Sequence, residues 1–418
     1  MAEAAKPLGD RGLREIIARG LVRSLYQPIV SFESGDVVAY EALSRGPVGT
    51  PLESPAALFA EAGRLDVVPE LDWVCREAAI RGALEAGMHP PLKLFINTEP
   101  AGLRMPIPAR MVPLFEQATR ELNVVVEFTE RALINDPAAL IGASRPAHRA
   151  GWGVAIDDVG VETASIALMP FVEPDLIKLD LTMIQQKRRA ADMATLAAVL
   201  FQAGWCGAHV LAEGIETVEH LDRARHIGAT LGQGWMFGRP ETLPRPLAQP
   251  TRELVTEVRA YAGGRSAFDV ASEVRRPLRA GRAQLDIMCR EIEEQALRLP
   301  DAPVVVANFQ DVSRFRPRIQ ARFAQLALTS SLVAAIGTGM PIEPAPGVRG
   351  AGILGGSAMA EEWTLAIVSP LIAVAISARE LRERNSQGER QFDFVMSYDR
   401  DLVVRIAAPI IEQISAIA

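Results

Sequence analysis

Gly151-Trp-Gly-Val-Ala-Ile-Asp157-Asp158 opens, and Pro174-Asp-Leu-Ile-Lys178-Leu-Asp180 closes, the stretch of this 418-residue chain that decides its fold. Each half is a short apolar run that stops at ionisable groups. A parallel strand buried on both faces reads this way, with polar groups emerging at its carboxyl end. Two adjacent carboxylates repel each other, and a divalent cation turns that repulsion into attraction. The plainer reading makes Asp157 and Asp158 a helix N-cap and its neighbour, with Lys178 on a solvated surface.

The flanking sequence repeats the pattern. Helical spacing over Leu13–Leu25 leads into the strand Tyr26-Gln27-Pro28-Ile29-Val30. A turn at Glu33–Asp36 makes Val37–Arg45 its hairpin partner. Helices are expected at Pro55–Ala62, Glu70–Ala86, Pro108–Leu122, Pro137–Ala150, Met193–Ala203 and Val218–Ile227. Strands alternate with them: Leu92–Glu99, Val124–Glu130, His209–Glu216 and Leu231–Pro240. Such repetition predicts an α/β fold, a modified TIM (β/α)8 barrel in which one strand runs against the others.

Strand after strand ends on a polar residue: Glu41, Asn97, Glu127, Asp157 with Asp158, Lys178 with Asp180, Glu213 with Glu216, and Gln233. In a barrel these ends converge on one face, where active sites sit. An oxygen-rich set suits Mg²⁺ or Mn²⁺ rather than zinc or copper. Paired hard cations held by carboxylates suit in-line attack of water on a phosphodiester.

Length and composition bound the rest. A chain this long predicts two domains. Hydrophobic residues at 49% and charged residues at 23% give an ordinary globular balance. A net charge of −7 argues against non-specific binding to DNA, RNA or an anionic membrane. Cys75, Cys206 and Cys289 are widely spaced and odd in number, and the five histidines form no zinc pattern. A reduced, cytoplasmic protein is expected. The first ten residues lack a signal-peptide core, and Leu365–Ala378 is short and holds Pro370, a core element and no membrane span.

On these residues the first half resembles the EAL domain, the bacterial cyclic di-GMP phosphodiesterase family. The likeness covers about Leu13–Pro240. It lies in Tyr26-Gln27-Pro28-Ile29, Glu41-Ala-Leu-Ser-Arg45, Asn97, Glu127-Phe-Thr-Glu130, Asp157-Asp158, Lys178-Leu-Asp180, Ala212-Glu213-Gly-Ile-Glu216-Thr and Gln233-Gly234. The resemblance implies that Glu41, Asn97, Glu127 and Asp157 hold one of two divalent cations, Mg²⁺ or Mn²⁺. Asp158, with Asp157 bridging, would belong to the second site. Lys178 would orient or activate the attacking water, and Glu213 would help hold that water or the second metal. Gln27, Arg45, Asp180, Glu216 and Gln233 resemble substrate-holding positions, and Glu130 resembles the residue that anchors the loop after the Asp pair. The implied reaction is hydrolysis of cyclic di-GMP to linear pGpG, in a homodimer formed through the barrel. Where the family usually continues Asp-Asp-Phe-Gly-Thr-Gly-Tyr-Ser-Ser, this chain has Asp157-Asp158-Val-Gly160-Val-Glu-Thr163-Ala-Ser165. The second glycine and the tyrosine are absent. That departure keeps an alternative open, a weak or inactive cyclic di-GMP receptor or a protein-interaction module.

The expected organisation is a barrel over 1–242, a proline-rich linker at 243–250 and a smaller α/β domain over 251–418. In the second half, helices are expected at Arg252–Tyr261, Ala283–Leu297, Arg314–Leu328, Ile372–Glu383 and Arg400–Ile417. Strands are expected at Val304–Phe309, Thr364–Val368 and Gln391–Ser397, with an apolar run at Ser331–Gly337. Gly350-Ala-Gly352-Ile-Leu-Gly355 fits G-x-G-x-x-G but follows Pro341, Pro344 and Pro346 rather than a strand, so it reads as a loop. This half resembles the DICT domain, a sensory module that accompanies cyclic di-GMP enzymes. The likeness lies in Phe309…Phe315–Phe323, Glu362-Trp363-Thr-Leu-Ala-Ile, Ala378-Arg379-Glu380 and Phe392-Asp393-Phe394. It implies a regulatory role.

Overall fold

The computed structural model describes residues 10–103, 105–160, 163–185, 190–256, 265–386 and 388–415. The chain divides into two compact units, Met1–Val161 with Glu173–Val258, and Glu162–Val172 with Arg259–Ala418.

In the first unit eight strands close a barrel in chain order: β1 (Arg23–Ser31), β2 (Val37–Arg45), β3 (Lys93–Asn97), β4 (Asn123–Thr129), β5 (Gly153–Val159), β6 (Leu176–Leu179), β7 (His209–Ala212) and β8 (Leu231–Gln233). From β2 to β8 neighbours run parallel, while β1 runs antiparallel to both β2 and β8. The hairpin turn that the sequence placed at Glu33–Asp36 is the cause: a short turn joins antiparallel strands, whereas parallel ones need a crossover.

The barrel interior is built in layers by the two-residue period of a strand. Ile29, Ala39, Phe95, Val125, Ala155, Leu176, Leu211 and Leu231 form one buried apolar cluster, with Leu254. Two residues further along each strand toward the mouth stand Gln27, Glu41, Asn97, Glu127, Asp157, Lys178, Glu213 and Gln233. On β1 the step runs backwards in the chain, as its reversed direction requires. The apolar layer thus carries the polar layer. Phe95 is fully buried within it, so Phe95→Ala should cost about 3–5 kcal/mol in urea unfolding.

The second unit is a seven-stranded sheet with helices. Its strands are β9 (Leu278–Gly281), β10 (Val304–Asp311), β11 (Leu332–Thr338), β12 (Arg349–Gly352), β13 (Glu362–Val368), β14 (Ala373–Arg384) and β15 (Arg390–Ser397). Their order across the sheet is β12-β11-β10-β13-β14-β15-β9. The first three run parallel and the remaining neighbours antiparallel. Helices Arg282–Ala296 and Pro317–Ala327 pack on Val305, Ala307, Phe309, Ile367, Ile376 and Phe392. Helices Ala267–Val274 and Arg400–Ser415 also lie against the sheet, outside that cluster.

Several sequence expectations change here. Where a helix is expected over Ile372–Glu383, residues Ala373–Arg384 form the strand β14. Their alanines and Leu381 favour a helix intrinsically, but the backbone is paired on both sides, to β13 and β15, and residues 373–378 are buried. Tertiary pairing overrides a weak local preference. The Gly350–Gly355 stretch is not all loop, because Arg349–Gly352 is the edge strand β12. A Cβ at Gly350 would lie 1.9 Å from the Pro341 carbonyl oxygen, so the glycine answers a close backbone approach. No helix begins at Arg252: residues 252–256 are irregular, and 257–261 lie outside the described residues. Leu254, beyond the proline-rich segment 243–250, is buried in the barrel cluster. Helix Ala267–Val274 and strand β9 were not anticipated. None of the described helices is long and apolar enough to cross a membrane.

Candidate active site

Lys178 organises the mouth of the barrel. Its side chain is fully buried on β6, an expensive place for an ammonium unless it is paired. Four carboxylates surround it: Glu127 Oε1 and Glu213 Oε1 at 2.9 Å, Asp157 Oδ1 at 3.0 Å and Glu41 Oε2 at 3.3 Å. Asn97 Nδ2 donates to Glu41 Oε1 at 3.0 Å, and Gln233 Nε2 donates to Glu41 Oε2 at 2.7 Å. Gln233 Nε2 also lies 3.3 Å from Gln27 Oε1, whose residue faces Glu41 across the β1–β2 ladder. Gln27 in turn donates to the Gly238 carbonyl at 3.1 Å.

Asp157 and Asp158 are neighbours, and in a regular strand they would point to opposite faces. The pairing of β5 with β6 breaks between Ile156 and Val159, and Asp158 has φ 58°. An aspartate tolerates this left-handed conformation better than most residues. The irregularity lets both carboxylates reach one site, and the Asp158 N–H donates to Asp157 Oδ1 at 2.9 Å. Behind them, the buried Glu130 carboxylate accepts from the Gly160 N–H at 3.4 Å.

The charge is out of balance. One ammonium faces Glu41, Glu127, Asp157, Asp158 and Glu213. Burial works to raise Glu41, but Lys178 and the hydrogen bonds from Gln233 and Asn97 outweigh it and hold the carboxyl below its ordinary value. Burial pushes Glu127 well above its ordinary value, and repulsion from Glu41 and Asp157 adds to it. Burial raises Glu213 to about 8 despite Lys178. Asp158 is raised by burial and by Asp157. Lys178 itself is held well above its ordinary value, since Asp157, Glu127, Glu213 and Glu41 overcome its burial.

Two triads of carboxylate oxygens share Asp157. Glu41, Glu127 and Asp157 form one, and Asp157, Asp158 and Glu213 the other, each with its oxygens within 4.8 Å of one another. Glu127 Oε2 and Gln233 Oε1 are buried acceptors without hydrogen-bond partners among the described residues. Surplus negative charge, orphaned oxygens and an all-oxygen donor set fit hard divalent cations.

Among the described residues Arg45, Asp180 and Glu216 share no hydrogen bond or ion pair with this cluster, although the Asp180 charge helps to raise Asp158. Arg45 Nη1 donates to the Ser44 carbonyl at 2.8 Å. Asp180 Oδ1 accepts from the Thr182 N–H at 2.8 Å. Glu216 is exposed, and its N–H donates to His220 Nδ1 at 3.4 Å. One residue that sequence reasoning passed over is Trp235. It follows Gln233-Gly234, is 54% exposed, and carries the Arg239 guanidinium 4.0 Å from its ring centre. The signal was a large aromatic between two glycines just past a polar strand end.

Comparison with known proteins gives the following. The EAL domain model matches residues 10–240, and the model described as a sensory domain in diguanylate cyclases and two-component systems (DICT) matches residues 265–381. Probable cyclic di-GMP phosphodiesterase PdeG of Escherichia coli is 29% identical over 241 residues, 55% of this chain and 46% of that protein. Cyclic di-GMP phosphodiesterase RocR of Pseudomonas aeruginosa is 27% identical over 234 residues, 54% of this chain and 59% of that protein. The chain thus spans about half the length of these relatives. The solved structure of Klebsiella pneumoniae BlrP1 with manganese and cyclic di-GMP is 26% identical, covers 53% of this chain and 56% of that one, and has a TM-score of 0.46.

Proposed function

Because this chain belongs to the EAL domain family, we propose that it hydrolyses one phosphodiester bond of cyclic di-GMP, giving linear pGpG, with two divalent cations, Mg²⁺ or Mn²⁺. The observation that carries this reading is the pair of oxygen triads joined at Asp157 beside a buried lysine. Glu41, Asn97, Glu127 and Asp157 would hold one cation, and Asp157, Asp158 and Glu213 the other. Bound there, the cations supply the charge that offsets the phosphoryl oxygens and makes water acidic enough to attack near neutral pH.

The protein's own part follows from the cluster. Lys178 is fixed by four carboxylates and stays protonated, so it donates hydrogen bonds and orients water without serving as a base. Glu213, whose Oε1 lies 2.9 Å from Lys178 Nζ, would help hold that water or the second cation. Glu41 is kept ionised by Lys178, with hydrogen bonds from Gln233 and Asn97, while Gln27 ties the ring of donors to the turn at Gly238. Glu130 would anchor the segment after the Asp pair through Gly160. The exposed face of Trp235 offers a stacking surface for a base. Arg45, Asp180 and Glu216 would hold substrate from the rim.

Purified full chain with Mn²⁺ should convert cyclic di-GMP to pGpG, and EDTA should stop it. Binding of the dinucleotide with no pGpG under any divalent metal would instead establish a receptor.

The second unit would regulate the barrel, in a cytoplasmic protein that dimerises through its barrel domain. A chain ending after Thr256, which keeps Leu254 in the barrel cluster, should differ from the full chain in turnover or in oligomeric state by light scattering. Identical behaviour in both would defeat this.

A further inference from the structure

We infer that the second unit carries a phosphate-binding pocket between β10, β15 and the start of helix Arg282–Ala296. Three guanidiniums line it, those of Arg282, Arg314 and Arg390, over a wall of Phe309, Trp363 and Phe392. The space among them is about 40 Å³, room for about three waters or one tetrahedral oxyanion. The pocket opens to solvent, so a phosphate could be free or could end a larger molecule.

The floor is a built feature. The pairing of β10 with β11 breaks between Asn308 and Asp311, and within that break Gln310 has φ 67°. Asn308 Oδ1 holds the Gln310 N–H at 2.9 Å, and Gln310 is 2% exposed. Its Oε1 has no hydrogen-bond partner among the described residues, and its Nε2 reaches Glu380 Oε2 only at 3.5 Å. A strained, buried amide whose oxygen lacks a partner, lining a pocket, costs stability that a ligand can return.

The choice of phosphate follows from the donors and acceptors. Guanidiniums only donate and match oxyanions in a fork. Gln310 Oε1 only accepts, so the ligand must also carry a donor. Hydrogen phosphate has both, in one compact group; an ionised carboxylate has no O–H to give. The rings of Phe309 and Phe392 shed water and lower the local dielectric, which strengthens each bond. Arg390 lies 5.4 Å over the Phe392 ring.

The arginines are held in readiness by carboxylates. Glu380 pairs with Arg390 and stands 3.7 Å from Arg314, and Asp286 is 3.5 Å from Arg282. Asp311 is half-buried and also faces Arg314. Even so, burial and the neighbouring Arg314 and Arg282 push Arg390 down to about 10. Glu380 would therefore compete with an incoming anion and yield Arg314 and Arg390 to it.

The test uses the full chain labelled with 5-fluorotryptophan, in EDTA, with the Trp363 fluorine signal assigned through Trp363→Phe. Inorganic phosphate should shift that signal saturably, and the same concentration of chloride should not. Arg314→Gln should weaken the effect about tenfold, the loss of one charge-assisted contact, with Arg314→Lys intermediate. Glu380→Gln should tighten it, which a merely structural role for these residues would not produce. A parallel titration with guanosine 5′-monophosphate separates the sources: tighter binding than inorganic phosphate marks a nucleotide terminus, and weaker binding marks the free ion. No saturable shift, an equal shift with chloride, or an unchanged response in Arg314→Gln overturns the inference.

Discussion

Lys178→Met should destabilise the metal-free barrel by about 3–5 kcal/mol, because it removes the cation from a buried group of carboxylates and leaves them uncompensated. For a unit of this size that is about 10 °C in Tm, at roughly 2–4 °C per kcal/mol. The deficit should depend on pH in a definite direction. The folded-state pKa of Glu213 is raised from 4.5 to about 8. Its favourable contribution is therefore fully present below about 4.5 and lost as pH rises through 8. Glu127 shifts the same way, and without the ammonium both shift further. The gap between wild type and variant should widen from pH 5 to pH 8. Adding Mg²⁺ or Mn²⁺ should narrow it, since cations bind the deprotonated oxygens. Calorimetry at the two pH values decides the matter, and a gap that is equal at both would contradict the charge account.

Asp157→Asn should lose turnover on the order of a thousandfold, the scale of removing one preorganised electrostatic contact from a transition state. Asp157 belongs to both oxygen triads, so the amide weakens both at once. The same variant should lose most of the gain in Tm that divalent cations give the wild type. Glu216→Gln, at an exposed residue outside the cluster, is the contrast, with at most about a tenfold fall in turnover and the cation effect retained. If Asp157→Asn kept the thermal gain, the shared position would be wrong. If it lost the gain yet kept turnover, the cations would be structural.

The barrel could be read from the sequence because strands advertise themselves twice. Apolar runs bury them, and a change to polar residues marks where they reach the mouth. The step of two residues from Ala39 to Glu41, from Val125 to Glu127 and from Leu176 to Lys178 lies in the sequence itself. The break in β5 does not: nothing in Ile156-Asp157-Asp158-Val159 announces that consecutive side chains turn the same way. Arg45, Asp180 and Glu216 share motifs with the cluster, but a motif carries no directions for its side chains. In the second half the signals were weaker. Residues 373–384 mix alanine with a Leu-Arg-Glu-Arg tail and satisfy helical and extended readings alike. The edge strands β9 and β12, four residues each, are too short to show a period.

The reversed first strand has a practical consequence. Because β1 descends while its neighbours climb, the connection Phe32–Asp36 emerges at the foot of the cylinder, at the opposite end from Glu41 and Lys178. Gly35 there, with φ 77°, has no neighbouring atom within 4 Å of where a side chain would begin. That bend is the natural port for grafting a tag or a reporter without disturbing the rim that bears Glu41 and Lys178.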